Sequence, residues 1–221
     1  MATRTRVVVE SGDKRVFATA IDWPGWSRSA KTRDDALATL VEYGARYKKS
    51  LGTAAAGLTL PKSVDELEIT SSVHGGANTD FGVPHEIVSD DRKQPTDKEL
   101  EELIKLLKAI WKGFDSAAAK AKGKTLATGP RGGGRKLDQI REHVAGADRA
   151  YIGALGAKAP PEKEGWAATQ AAFIDALHAK VRGELPEKGP RGGDRWPARY
   201  AIRRSAWHAL DHAWEIEDRL E

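Results

Sequence analysis

Two histidines four residues apart on a helix leave it on the same side, one turn from each other, and can close on one metal ion. The stretch WHALDHAWEIEDR places His208 and His212 at that spacing. Trp207, Leu210 and Trp214 form an apolar stripe with Tyr200, and the two histidines lie off it. Their own stripe runs back through Ser205 and Ala201, whose small side chains leave space of the kind an open coordination position needs. The competing reading is a pair of surface or core-edge histidines. A third ligand has to come from another helix. His143, in REHVAGADRAY, flanks Ile140 and Val144, while His178 sits beside Leu177 and competes for the role. His74 and His85 fall in the other half of the chain and read as loop or strand residues.

A second candidate feature is the pentapeptide GPRGG, spelled at 129–133 and again at 189–193. Each copy precedes a helical pattern that carries histidine. Glycine permits positive φ and proline fixes one turn position, so two similar turns account for the repeat. A functional reading uses Arg131, Arg135, Arg191 and Arg195. If both connections open at the metal end, their guanidinium groups would hold an anionic substrate.

Four helical patterns have to position these residues. TDKE at 96–99 is a capping box. Behind it Leu100, Leu103, Ile104, Leu107, Ile110, Trp111 and Phe114 recur at helical spacing. Further helices are expected over about 136–153, 164–183 and 196–219, the last with Pro197 in its first turn. They predict an up-down four-helix bundle over 96–221. The first half reads differently. TRVVVES and RVFATAID alternate as strands, VDELEIT and PHEIVS read as further strands, and one helix is expected after Thr32. The charged SDDRKQP at 89–95 is the expected linker. The fold class is thus α+β with two domains, a small β-β-β-α domain at 1–92 and the bundle at 96–221.

Composition narrows the function classes. The apolar fraction of 40 %, with glycine added, is that of a chain able to build a core. Residues 1–92 carry 12 basic and 13 acidic side chains and the remainder 24 and 19, which gives no face basic enough for nucleic acid. There is no cysteine, so thiol chemistry would need an external thiol. The opening MATRTRVVVESGDKR lacks a signal-peptide apolar stretch, and no 18 apolar residues run together. The expected location is the cytoplasm, with no membrane contact.

LDQIREHVAGADRAYIGALG, followed about sixty residues later by RRSAWHALDHAWEIEDR, resembles the DinB/YfiT-like superfamily. The resemblance spans about 96–219. It implies a four-helix bundle whose metal ligands fall on His143, His208 and His212, and it leaves His178 outside the set. It also implies a divalent metal, zinc or nickel, and an activity such as thiol S-transfer of the bacillithiol or mycothiol class, or a related transferase or hydrolase reaction. The cosubstrate would be a low-molecular-weight thiol. Residues 4–50, through IDWPGW and KTRDDALATLVEY, resemble the HicB-like small domain. The alternative function is a non-catalytic metal-containing binding or stress-response module whose HicB-like part docks a protein. The expected partners are a small-molecule substrate or thiol, a protein at the N-terminal half, and a second copy of the chain.

Overall fold

The computed structural model describes residues 4–128 and 134–221. The first GPRGG, and Arg131 with it, lies outside the described residues. The chain is mixed α and β. Strands β1 (Thr5–Ser11) and β2 (Val16–Ala20) form a hairpin, and β3 (Ser27–Ala30) continues the antiparallel meander. A fourth strand, β4 (Leu67–His74), pairs parallel to β1, so the sheet order is β3-β2-β1-β4. Helix α1 (Arg33–Glu42) begins at Thr32, whose hydroxyl accepts from the Asp35 amide. With Asp34 and Asp35 in its first turn, α1 has both the side-chain cap and the charge that a helix N-terminus favours.

The single helix expected after Thr32 is two. α1 stops at Tyr43, and α2 (Gly44–Leu51) follows at once. Trp26 sits against this junction: its indole donates to Leu40 O and its ring stacks on Tyr47 at 5.3 Å. A Cβ on Gly44 would lie 3.0 Å from the Trp26 ring, so the close approach needs glycine. The Pro24–Gly25 turn presses on the other half. Gly25 has φ +91°, and a Cβ there would meet Ile110 at 2.9 Å and the Ala206 carbonyl at 3.2 Å.

PHEIVS is not a strand. The Glu10 carboxylate, buried on β1, accepts from the amides of His85 and Glu86 and from the Thr79 hydroxyl. With those amides committed to a side chain, no sheet ladder can form there. A short helix, α3 (Ala77–Phe81), precedes this segment and another, α4 (Ser89–Arg92), ends it. SDDRKQP is also more than a connection. Asp91 is buried, accepts from the Val88 amide, and pairs with buried Arg203 through contacts of 2.5 and 3.0 Å.

The long helices are α5 (Asp97–Ala121), α6 (Leu137–Leu155), α7 (Gly165–Val181) and α8 (Ala198–Arg219). α5 buries one stripe, from Leu100 to Ala121, and starts at the Thr96–Glu99 capping box. α8 behaves otherwise: 17 of its 22 residues are buried, which no amphipathic surface helix allows. It packs on α5 and α6 and also meets the first half of the chain. Trp207 faces Phe17 edge-on at 6.2 Å, the Tyr200 hydroxyl donates to His85 O, and the Trp214 indole donates to Ser50. One hydrophobic cluster accordingly runs from Val7 and Ala18 through Leu107 and Ile140 to Phe173 and Trp214. Among the described residues no helix is long and apolar enough to cross a membrane.

Candidate metal centre

α6 and α8 run antiparallel. Arg219 Nη2 donates to Arg135 O at one end, and the Trp196 amide donates to Ala154 O at the other. This places His143, in the second turn of α6, beside the C-terminal half of α8. There His143 Nε2 and His208 Nε2 are 3.0 Å apart. The ring of His212 lies 5.0 Å from that of His143 and 4.7 Å from that of His208, centroid to centroid. One ring nitrogen from each of the three falls within 4.8 Å of the others.

The third imidazole is held by a carboxylate. His212 Nδ1 is 2.6 Å from Glu215 Oε2, and Glu215 Oε1 accepts from Arg219 Nη1 at 2.5 Å. Burial would raise the Glu215 carboxyl, but the hydrogen bonds and charges of His212 and Arg219 outweigh it and hold the group at about 2. An ionised Glu215 keeps the proton on Nδ1 of His212 and leaves Nε2 as the free donor atom. His208 is pushed well below the ordinary imidazole value by burial, then by the neighbouring His212, His143, Arg204 and Arg135. His143 moves the same way, through burial and the charges of His212 and Arg135. Both rings are therefore neutral at pH 7, the state in which imidazole ligates a metal.

The remaining candidates are placed apart. His178, on α7, lies 3.4 Å from Glu101 and takes no part in the cluster. His74 closes β4, and His85 contributes its backbone to the Glu10 and Tyr200 contacts. Arg135 stays near the histidines, close enough to act on the titration of two of them. The structure does not bring Arg191 and Arg195 to that end. They sit in the connection before α8, beside the far end of α6, where Arg195 Nη1 donates to Gly153 O at 2.8 Å. Arg135 and the second GPRGG thus lie at opposite ends of an antiparallel helix pair, and no single opening holds Arg135 together with Arg191 and Arg195.

Ser205 and Ala201, expected to leave space in front of the imidazoles, are themselves fully buried. Ser205 faces α5, where it accepts from the Trp111 indole at 3.2 Å. Arg204, one turn before His208, lies between two aromatic rings, 5.6 Å from Tyr151 and 4.9 Å from Trp207, and donates to the Tyr151 hydroxyl at 3.3 Å. The i−4 spacing from His208 is the sequence signal for Arg204. Among the described residues the carboxylate that holds a histidine of the cluster is Glu215; Asp211 pairs with Arg28 at 3.4 Å, and Asp148 is buried among α5, α6 and α8.

His212 and Glu215 open onto a cleft of about 730 Å³ between α8 and the β2–β3 edge of the sheet. Comparison of the chain with family models, with curated proteins and with solved structures gives no match.

Proposed function

We propose that His143, His208 and His212 hold a divalent metal ion, zinc or nickel, in a metal-dependent enzyme of the DinB/YfiT type, with thiol S-transfer as the leading reaction class. The observation that carries this reading is the gathering of three imidazoles, one ring nitrogen of each within 4.8 Å of the others, with Glu215 fixing the tautomer of the third. Three imidazole nitrogens, which carry no charge when they ligate, suit zinc and nickel and would leave the ion its full charge. When bound, such an ion supplies Lewis acidity that favours the ionised form of a thiol or water. The chain has no cysteine, so the thiol would be a small molecule from outside. The chain's own part is to orient the rings, through Glu215 and Arg219, and to keep His208 dry and uncharged.

On this reading the four long helices form the up-down bundle of that superfamily, and residues 1–92 form a HicB-like unit built onto it. The docking-module alternative has less support, because α1 packs on β2 and β3 while Phe17 meets Trp207 of α8. Elemental analysis after reconstitution with zinc or nickel tests the proposal. Near-stoichiometric metal in the wild type and little in His208→Ala is the expected result; near-zero metal in both would overturn it. A screen of the metal-loaded protein against small thiols with an electrophile then tests the reaction class.

A further inference from the structure

The cleft at His212 has one wall from α8 and the other from the opposite half of the chain. Antiparallel register sets Phe17 of β2 against Ser29 of β3, and Thr19 against Ser27, so these side chains share one face. Phe17, Ser27 and Ser29 line the cleft on that face, and Arg15 joins them by donating Nη1 to the Ser29 hydroxyl at 3.1 Å. Facing them across the space are Trp207 and His212, with Arg135 from the connection before α6. Phe81 stands at the cleft with 85 % of its surface exposed, a large apolar ring in water beside a polar opening.

Charge separates the arginines of this cleft into two kinds. Arg219 is committed to Glu215 at 2.5 Å, and Arg28 to Asp211 at 3.4 Å. Arg15 and Arg135, by contrast, meet no carboxylate among the described residues, and Arg15 Nε is buried without a hydrogen-bond partner. Burying the Arg15 Nε without a partner is costly, and the planar fork of a guanidinium suits a carboxylate or phosphate. Phe17 and Trp207, packed edge to face, are almost wholly buried and form the floor of the cleft, which leaves Phe81 as its exposed ring.

From this arrangement we infer that the sheet half supplies the substrate subsite of the histidine centre. Arg15 and Arg135 receive the substrate's anionic group, a carboxylate or phosphonate-type oxyanion. The inference rests on the metal-centre reading for the word substrate, but the binding itself does not need the metal. The N-terminal half is then the specificity wall of the site, which is why it is packed onto α8.

The test uses the full chain reconstituted with zinc. Benzoate and phenylphosphonate serve as anionic probes and benzamide as the neutral one, titrated by calorimetry with saturation-transfer NMR to locate contacts. Both anions should bind at millimolar concentration, with benzamide about ten-fold weaker. Arg15→Gln and Arg135→Gln should each weaken the anions by about the same factor, while Arg191→Gln, at the far end of α6, should leave them unchanged. Arg135 is exposed, so its variant tests the subsite even if Arg15→Gln fails to fold. Undiminished anion binding in Arg135→Gln, benzamide binding as strong as benzoate, or no binding of either anion would overturn the inference. Metal content measured on the same samples separates the two readings. Zinc retained with arginine-independent anion binding sinks the subsite alone; arginine-dependent binding in a protein that takes up no zinc sinks the metal centre alone.

Discussion

At one end of the α6–α8 pair, Arg219 donates to Ala127 O, to Arg135 O and to the Glu215 carboxylate. At the other, Arg195 donates to Gly153 O in the last turn of α6, and the Trp196 amide donates to Ala154 O. Both arginines fasten a connection to a helix end. Only the first is also in series with a histidine, through Glu215. At 189–193 the repeated pentapeptide is a turn, closed by Gly189 N to Gly193 O at 2.7 Å with Gly192 at φ +81°. An arginine's role is set by what faces it: carbonyls make it a clamp, and a carboxylate already bonded to an imidazole makes it part of a site.

Substitutions at the two ends should therefore separate cleanly. The largest effect belongs to the ligands, since His208→Ala should abolish metal binding while Arg195→Gln leaves it intact, as read by elemental analysis. Next, Glu215→Gln should lower metal affinity by about 10- to 100-fold, measured by competition with a chromophoric chelator, because His212 loses the anion that fixes its tautomer. The same change leaves Arg219 buried without its charge partner and should cost roughly 3 kcal/mol in denaturant unfolding. Unchanged affinity with lowered stability would show that Glu215 serves the fold and not the histidine.

Midway between the ends, Asp148 tests the interior that both share. Burial raises its carboxyl from 3.8 to about 7, and the nearby Ser205 and Trp111 oppose that rise only in part. Between those values the folded chain holds a proton that the unfolded chain has released. Stability from this group is thus complete below about pH 4 and is lost as pH rises through about 7, with a slope that reaches ~1.4 kcal/mol per pH unit. Asp148→Asn should remove that slope in urea titrations from pH 5 to 8; an identical slope in the variant would refute the assignment. The smallest effect is expected from Arg195→Ala, about 1 kcal/mol for one lost helix-end hydrogen bond, with metal content unchanged.

Local signals made part of this molecule legible in the sequence. The Thr96–Glu99 cap and the stripe behind it mark α5, and the i,i+4 spacing of His208 and His212 puts both on one side of α8. Long-range contacts hid the rest. The amides of PHEIVS are taken by Glu10, 75 residues earlier, and Asp91 finds Arg203, 112 residues away. No periodicity within either segment carries that information. The fully packed surroundings of α8 leave no mark in its pattern for the same reason, since a helix buried on several sides has no single stripe. Arg15 had no signal at all until the sheet and α8 were placed face to face.

The position of α8 in the chain has a consequence for how the molecule assembles. The segment on which the first half and α5 both pack follows them in the order of synthesis, so the inner surfaces of the hairpin and α5 stay uncovered until α8 is made. Contacts such as Gly25 with Ala206, or Asp91 with Arg203, close loops of well over a hundred residues and are slow to find. The chain should therefore gain its tertiary structure late and in one cooperative step, with the histidine cluster forming as that step completes.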